Sequence, residues 1–412
     1  MTLRRRNFLK NSLLLSGGAM AFSLPVRADN QAISELPASM QQPGKPFSNY
    51  GQPSEYEKTV IRWISANSDV PGNGVSWSPL HELAGTITPN GLHFERHHNG
   101  VPQIDPKQHE FVINGLVENP LTFSVTNLLR YPMHSRICFI ECGGNSNTSW
   151  RTEPVQSAAG YTHGLVSNAE WTGVPVKLLL KEAGVKPEAK WVIAEGADGA
   201  SLNISIPIEK LLDDAFIALY QNGERLRPEN GYPMRLILPG WEGITHVKWL
   251  RQLLLVESPA QSRDETAQYT ELMPDGNAQQ FSFIMQPKSI ITSPSVGMVL
   301  PDNPGIYQIS GLAWSGFGKV AKVEVSCDGG ESWQEASLQT PVLDKAFTRF
   351  TIGWQWNGEA AILQSRVTDE AGNIQPTREV LMAEKGKHNF FHYNAIISWE
   401  VDPSGEIFHV YA

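Results

Sequence analysis

From about residue 286 onward, apolar side chains return at every second position. The run Val320-Ala321-Lys322-Val323-Glu324-Val325-Ser326 alternates apolar with polar. A period of two puts one face of a strand against a core and the other toward water. The run stops at Asp328-Gly329-Gly330, a tight-turn signature, and resumes at Trp333. Phe347 to Trp354, Ala361 to Val367 and Val380 to Ala383 are further predicted strands, with a loop at Asp369 to Asn373. Short strands at this spacing predict an immunoglobulin-like β-sandwich over residues 286–405.

The preceding stretch has a different texture. Strands are predicted at Phe111-Val112-Ile113, Arg136 to Glu141, Trp191 to Ala194, Met234 to Leu238 and within 245–256. Two short helices are expected, one from Pro175 to Ala183 closed by Gly184, the other from Pro207 through Leu212. Residues 95–258 therefore read as a mixed α+β domain. Residues 29–94 read as an arm and loops with one helix from Ser54 to Ile64, and residues 259–285 as a linker.

The first 28 residues are set aside as a leader. Arg4-Arg5-Arg6 precedes an apolar stretch from Leu13 to Leu24, and Val26-Arg27-Ala28 supplies a cleavage site. Arg5-Arg6-Asn7-Phe8-Leu9-Lys10 fits the twin-arginine pattern; an ordinary secretory signal is the alternative. The apolar stretch is shorter than the ~20 residues of a membrane span, and no other segment approaches that length. Twin-arginine export carries folded proteins, which favours an enzyme loaded with its cofactor before export to the periplasm. The net charge of −9 disfavours nucleic acid as a partner.

Three cysteines remain, Cys138, Cys142 and Cys327. An odd number does not pair completely within one chain. In an extended strand Cys138 and Cys142 stand roughly 12 Å apart or more, too far for a bridge. Three cysteines are too few for an iron–sulfur cluster, and no Cys-x-x-Cys-His is present to attach a c-type haem. Cys142 differs from the others. A strand ends on it, and Gly143-Gly144 follow, opening the sulfur to a ligand. A soft thiolate there suits a redox metal or a nucleophile; a buried structural cysteine is the plainer reading.

Other segments bear on that choice. They are Leu92-His93-Phe94-Glu95-Arg96-His97-His98, Trp171-Thr172-Gly173-Val174-Pro175, Glu195-Gly196-Ala197-Asp198-Gly199, Gly231-Tyr232-Pro233-Met234-Arg235-Leu236, Pro239-Gly240-Trp241-Glu242-Gly243 and His246-Val247-Lys248-Trp249-Leu250. In this order and spacing they resemble the sulfite oxidase family of molybdenum enzymes, over roughly residues 90–405. The trailing sandwich resembles that family's dimerisation domain.

The resemblance implies a sulfite-oxidase-type molybdopterin domain, with molybdenum held by one pterin dithiolene and by Cys142. Asn145 completes the family's Cys-x-Gly-Asn pattern. The positions matching the family's cofactor-binding residues are Arg96, His98, Asp198, Asn230, Arg235, His246, Val247 and Lys248. Tyr269-Thr270-Glu271-Leu272-Met273-Pro274 matches a Tyr-x-x-Leu-x-Pro stretch whose tyrosine acts with Arg96 on the substrate. Cys138 and Cys327 have no family role and read as packing residues. A zinc or iron site made of His93, His97, His98 and His109 is a further reading.

The departures are informative. Pocket arginines of sulfite-oxidising relatives are replaced here by Ser146-Asn147 and Tyr393-Asn394, and a cofactor-binding histidine by Asn230. Arg136 and Arg151 are the candidates to compensate. Together with the run Ser262-Arg263-Asp264-Glu265-Thr266, this looks most like the sulfane dehydrogenase branch of the family. That likeness implies oxygen-atom transfer to sulfane sulfur on a carrier protein, electrons leaving to a c-type cytochrome, and a homodimer. The alternatives are a free sulfite dehydrogenase, a sulfoxide reductase and a non-catalytic binding protein.

Overall fold

The computed structural model describes residues 37–301 and 304–412. The expected leader at 1–28 lies outside them. The chain divides into two units, Met1–Glu55 and Tyr56–Ala412. In the first, the described residues form one short turn at Ala38–Met40 and otherwise irregular, exposed chain.

The second unit opens with a three-stranded antiparallel sheet of Trp63–Ala66, Gly74–Trp77 and Glu95–His97. The helix expected over Ser54–Ile64 is absent. A single turn, Glu55–Glu57, and then the strand from Trp63 stand in its place. Thr59, Val60 and Ile61 are β-branched and lose side-chain freedom in a helix.

Two five-stranded sheets follow. One runs Glu224–Arg225, Phe216–Gln221, Val166–Pro175, His134–Glu141, with Arg235–Ile237 paired to Phe216–Gln221. The other runs Leu121–Ser124, Glu110–Gly115, Leu250–Val256, Trp191–Gly196, Asn203–Pro207, and only Glu110–Gly115 and Leu250–Val256 pair in parallel. Helices Val176–Ala183 and Ile208–Asp213 lie where expected. Gly184 ends the first in a left-handed conformation (φ 70°), and its N–H donates to the Leu180 carbonyl. The helix buries Val176, Leu179, Leu180 and Ala183 into a core with Phe111, Val192 and Leu253.

The C-terminal half is the expected β-sandwich. A four-stranded sheet contains Lys288–Ser293, Gly305–Trp314 and Thr348–Trp356; a five-stranded sheet contains Val320–Ser326, Ala361–Asp369, Ser398–Val401 and Ile407–Val410. Val323, Phe350, Leu363 and Trp399 fill the space between them. The same apolar cluster takes in Leu80, Phe139, Trp150 and Val166 from the first half, so the cysteine strand His134–Glu141 is packed against the sandwich.

Two expectations change here. Val380–Ala383 is not a strand but part of a helix, Arg378–Lys385, whose Thr377 Oγ1 accepts the Val380 N–H at 3.3 Å. Residues 259–285 are not a plain linker. They hold a π-turn, Asp264–Gln268, and a hairpin of Thr270–Leu272 with Ala278–Gln280. Glu265 is buried and accepts the backbone N–H of Ser205 and of Ser262, which ties the segment to the first domain. Among the described residues no helix is long and apolar enough to cross a membrane.

Candidate active site

The strand His134–Glu141 pairs along its whole length with Val166–Pro175 and so delivers Cys142 at a fixed point. The Cys142 N–H donates to the Leu165 carbonyl (2.9 Å), and its own carbonyl accepts the Asn145 N–H (2.9 Å). The chain then turns sharply at Ser146 (φ 65°). The two glycines do different work. A β-carbon on Gly143 would lie 2.0 Å from Glu242 Oε1, so protein packing requires that glycine. A β-carbon on Gly144 would lie 3.9 Å from the Cys142 sulfur and 3.5 Å from the Phe390 ring, so Gly144 keeps the approach to the sulfur open.

One cleft brings together Arg96, His98, Cys142, Asp198, Arg235, His246, Lys248 and Tyr269. Its walls also include Phe94, Leu202, Glu229, Ile244 and Trp249, which sequence reasoning did not single out. Arg235 is buried and donates from Nε to the His246 carbonyl (3.1 Å) and from Nη1 to the Asn230 carbonyl (3.3 Å). Its guanidinium lies 5.5 Å from the centre of the Trp171 ring. Burial pushes its pKa down to about 9. Lys248 donates to the Arg96 carbonyl (3.0 Å) and to His97 Nδ1 (2.8 Å). Burial, and then the Arg235 charge, hold its ammonium well below the ordinary lysine value.

Burial favours the neutral form of the cleft histidines. Burial pushes His246 down to about 3 and His98 to about 4. His246 takes the Leu238 N–H on Nδ1 (3.3 Å) and donates from Nε2 to the Trp241 carbonyl (3.1 Å), which fixes its tautomer and leaves neither nitrogen free for a ligand. It lines the cleft with both ring nitrogens already bonded to the backbone. Two expected cofactor-binding residues stand outside the cleft lining. Asn230 is buried with its amide donating to Gln221 Oε1 (2.9 Å), and it supports Arg235 through its backbone carbonyl. Val247 packs in the core and its carbonyl accepts the Leu236 N–H. Neither lines the cleft. Nor do the four histidines of the metal-site reading converge. Among the described residues no group of three or more His, Cys, Asp or Glu is placed to hold a metal, and His109 bonds the Leu250 carbonyl.

A second cavity also reaches Cys142 and shares Arg96, Cys142 and Tyr269 with the first. Its walls include Trp77, Asn147, Gln268, Phe390 and Phe391. Arg96 is its only charged wall residue. Arg136 and Arg151 do not compensate: Arg136 pairs with Asp214 and Asp344, and Arg151 is exposed elsewhere. Tyr269 stacks on Phe391. Burial, and then the neighbouring Cys142, hold its phenol well above 10. Cys138 is fully buried with Ile140, Trp171 and Phe216, and Cys327 is half-buried against the sandwich core.

The donor set fits an anionic, metal-bearing ligand. Arg96, Arg235 and Lys248 converge on one cleft, and none of them forms an ion pair with a carboxylate among the described residues. Asp198 and Glu229 share the cleft without pairing to them, Arg235 is buried, and a buried cation with no ion-pair partner is costly by several kcal/mol, a cost that a bound anion such as a phosphate relieves. Cys142 stands at the same cleft. Burial pushes its thiol up to about 11, so it loses its proton when a metal takes its place.

Comparisons with known proteins agree with this geometry. Residues 98–263 match the oxidoreductase molybdopterin binding domain, and residues 280–399 match the Mo-co oxidoreductase dimerisation domain. The NADH nitrate reductase of Solanum lycopersicum is 31% identical over 371 residues, covering 78% of this chain and 40% of that protein. An inducible NADH nitrate reductase of Glycine max is 32% identical over 369 residues, covering 78% of this chain and 41% of that protein. The chain thus spans about two fifths of the length of these curated relatives. A chain in the crystal structure of the sulfane dehydrogenase SoxCD from Paracoccus pantotrophus superposes with a TM-score of 0.89 at 43% identity. The match covers 92% of this chain and 98% of that one.

Proposed function

This chain belongs to the sulfite oxidase family of molybdenum enzymes and carries that family's molybdopterin-binding domain, and from that premise we propose that it oxidises sulfane sulfur presented on a carrier protein. Its electrons pass to a c-type cytochrome, and the protein works in the periplasm after twin-arginine export. The observation that carries the reading is that Cys142 lines two unlike cavities, one holding Arg96, Arg235 and Lys248 beside Asp198 and Glu229, the other with Arg96 as its single charge. The likeness to a sulfane dehydrogenase over almost the whole chain supports the choice of substrate.

When bound, molybdenum on a pterin dithiolene supplies oxygen-atom transfer coupled to two-electron redox chemistry. The chain's own residues do the rest. Arg235 and Lys248 would hold the anionic end of the pterin, and Cys142 would ligate the metal. Arg96 faces both cavities and steadies an oxygen-bearing sulfur group. The Tyr269 phenol stays protonated and donates a hydrogen bond to the same group. Trp77, Phe390 and Phe391 keep bulk water from the mouth.

A mouth with Arg96 as its single charge is a weak trap for a small free dianion. It suits a sulfur atom held in place by a tether. The sandwich matches a dimerisation domain, which supports a homodimer joined through it.

The test uses full-length protein from a host that makes the cofactor. We expect cytochrome c reduction with a carrier protein bearing a cysteine persulfide, at a kcat/KM at least tenfold above that with free sulfite. Faster turnover of free sulfite would overturn the substrate assignment. Dye-driven sulfoxide reduction with no cytochrome reduction would reverse the proposed direction of the reaction. Normal metal content and turnover in a Cys142→Ser variant would remove the assignment of the ligand.

A further inference from the structure

The loop that carries Cys142 is closed by a residue of the other domain. Lys288 is buried on the first strand of the sandwich, and its ammonium donates to Glu141 Oε1 (3.2 Å) and to Ser146 Oγ (2.6 Å). Glu141 immediately precedes the cysteine, and Ser146 is the residue at which the loop turns. One ammonium therefore ties the two ends of the loop together. Trp314, the cross-strand partner of Lys288, donates from its indole to the other Glu141 oxygen at 2.7 Å. Asn145 donates to Glu141 (2.9 Å) and accepts the Leu165 N–H (3.1 Å). His163 Nδ1 lies 2.7 Å from Ser146 Oγ. A third tie runs from the His392 N–H to the Gly143 carbonyl at 2.7 Å.

A buried ion pair adds little net stability over apolar groups of the same volume, because desolvation offsets the attraction. What it does impose is one geometry, since each charge must meet its partners. Ser146 sits in the left-handed region, which a non-glycine residue keeps only when its surroundings hold it there. The charged partners here meet at the loop that aims the sulfur, not at a random point of the domain interface.

We infer that Lys288 is a positioning residue for Cys142: it clasps the loop Glu141–Ser146 so that the sulfur points into the cation-lined cleft. The sandwich thus has a task in the active site besides any subunit contact. This rests on the reading of Cys142 as the metal ligand.

The test compares cofactor-loaded full-length protein with three variants. Lys288→Met combined with Glu141→Gln removes both charges together and keeps the acceptor for Trp314. Lys288→Arg keeps the charge and the donors. Cys142→Ser checks the underlying reading. Readouts are molybdenum per chain after gel filtration, the sulfur-to-metal charge-transfer absorption and the melting temperature. We expect the double variant to melt within a few degrees of the parent but to lose at least two thirds of its molybdenum and to show a weakened charge-transfer band. Lys288→Arg should restore most of both. Parent-like metal content and an unchanged band in the double variant would overturn the clasp. If Cys142→Ser loses both signals in the same experiment, only the clasp falls; if Cys142→Ser keeps both, the ligand assignment falls first.

Discussion

The ring of Tyr269 lies on the ring of Phe391, with centroids 5.2 Å apart and 27° between the planes. A tyrosine from the segment between the domains is thereby held at the mouth by a residue 122 positions later in the chain. An aromatic pair of this kind contributes about 1 kcal/mol beyond its buried area. Phe391→Ala should therefore lower kcat/KM roughly fivefold through loss of tyrosine orientation. Tyr269→Phe should cost more in kcat than in KM. Steady-state kinetics with the persulfide-bearing carrier separates the two effects.

Asn147 lines the mouth together with Arg96, in the Ser146-Asn147 stretch that the family resemblance matches to a pocket arginine of sulfite-oxidising relatives. Asn147→Arg should lower the KM for free sulfite by tenfold or more while slowing the carrier reaction. An unchanged sulfite KM would mean that substrate choice is not set by mouth charge.

Arg235 is buried against two carbonyls and an indole face. Arg235→Met should act in opposite directions on two measurements. Cofactor content should fall at least tenfold. The cofactor-free protein should hold its stability or gain about 1–3 kcal/mol, because an uncompensated buried charge has been removed. Millimolar inorganic phosphate should raise the melting temperature of the cofactor-free parent, and much less that of the variant.

Stability should peak near pH 6.5. Burial alone would lower the pKa of His392, but the carboxylates of Glu242 and Glu271 on its two nitrogens override burial and hold it up at about 9. That contribution is fully present below the unfolded pKa of about 6.5 and is lost as pH rises through 9, up to roughly 3 kcal/mol. His93, His97 and His246 run the other way. Burial pushes each to about 3, so their contribution is present above about 6.5 and is lost as pH falls toward 3. Urea denaturation from pH 5 to 9.5 reads both limbs, and His392→Gln should flatten the alkaline one only.

Much of the cleft was legible in the sequence because each of its parts sits in a short local motif. Arg96, His98, Cys142, Asp198, Arg235, Lys248 and Tyr269 are scattered over more than 170 positions, yet each lies beside a strand end or a turn glycine that local patterning reveals. The direction of a side chain is not local. Asn230 and Val247 neighbour the right residues but turn toward Gln221 and the core, since packing decides which face they present. The ties that Lys288, Glu141 and His392 make are not legible in the sequence for a related reason. Each pairs across the domain boundary, and nothing in the sequence around either partner signals the other. The helix at Arg378–Lys385 resembles a strand in the sequence because Val380, Leu381 and Met382 form a short apolar run. The Thr377 cap, three residues ahead of Val380, was the available signal.

The cation-lined hollow takes its walls from Phe94 through Tyr269, and its sulfur-bearing loop is fastened from Lys288 and touched from His392. A chain without its sandwich would own the cysteine and every wall of the hollow, but nothing from Lys288, Trp314 or His392 would fasten the loop that carries the sulfur. The half of the molecule that contributes no wall to the hollow thus decides how rigidly its one sulfur is presented.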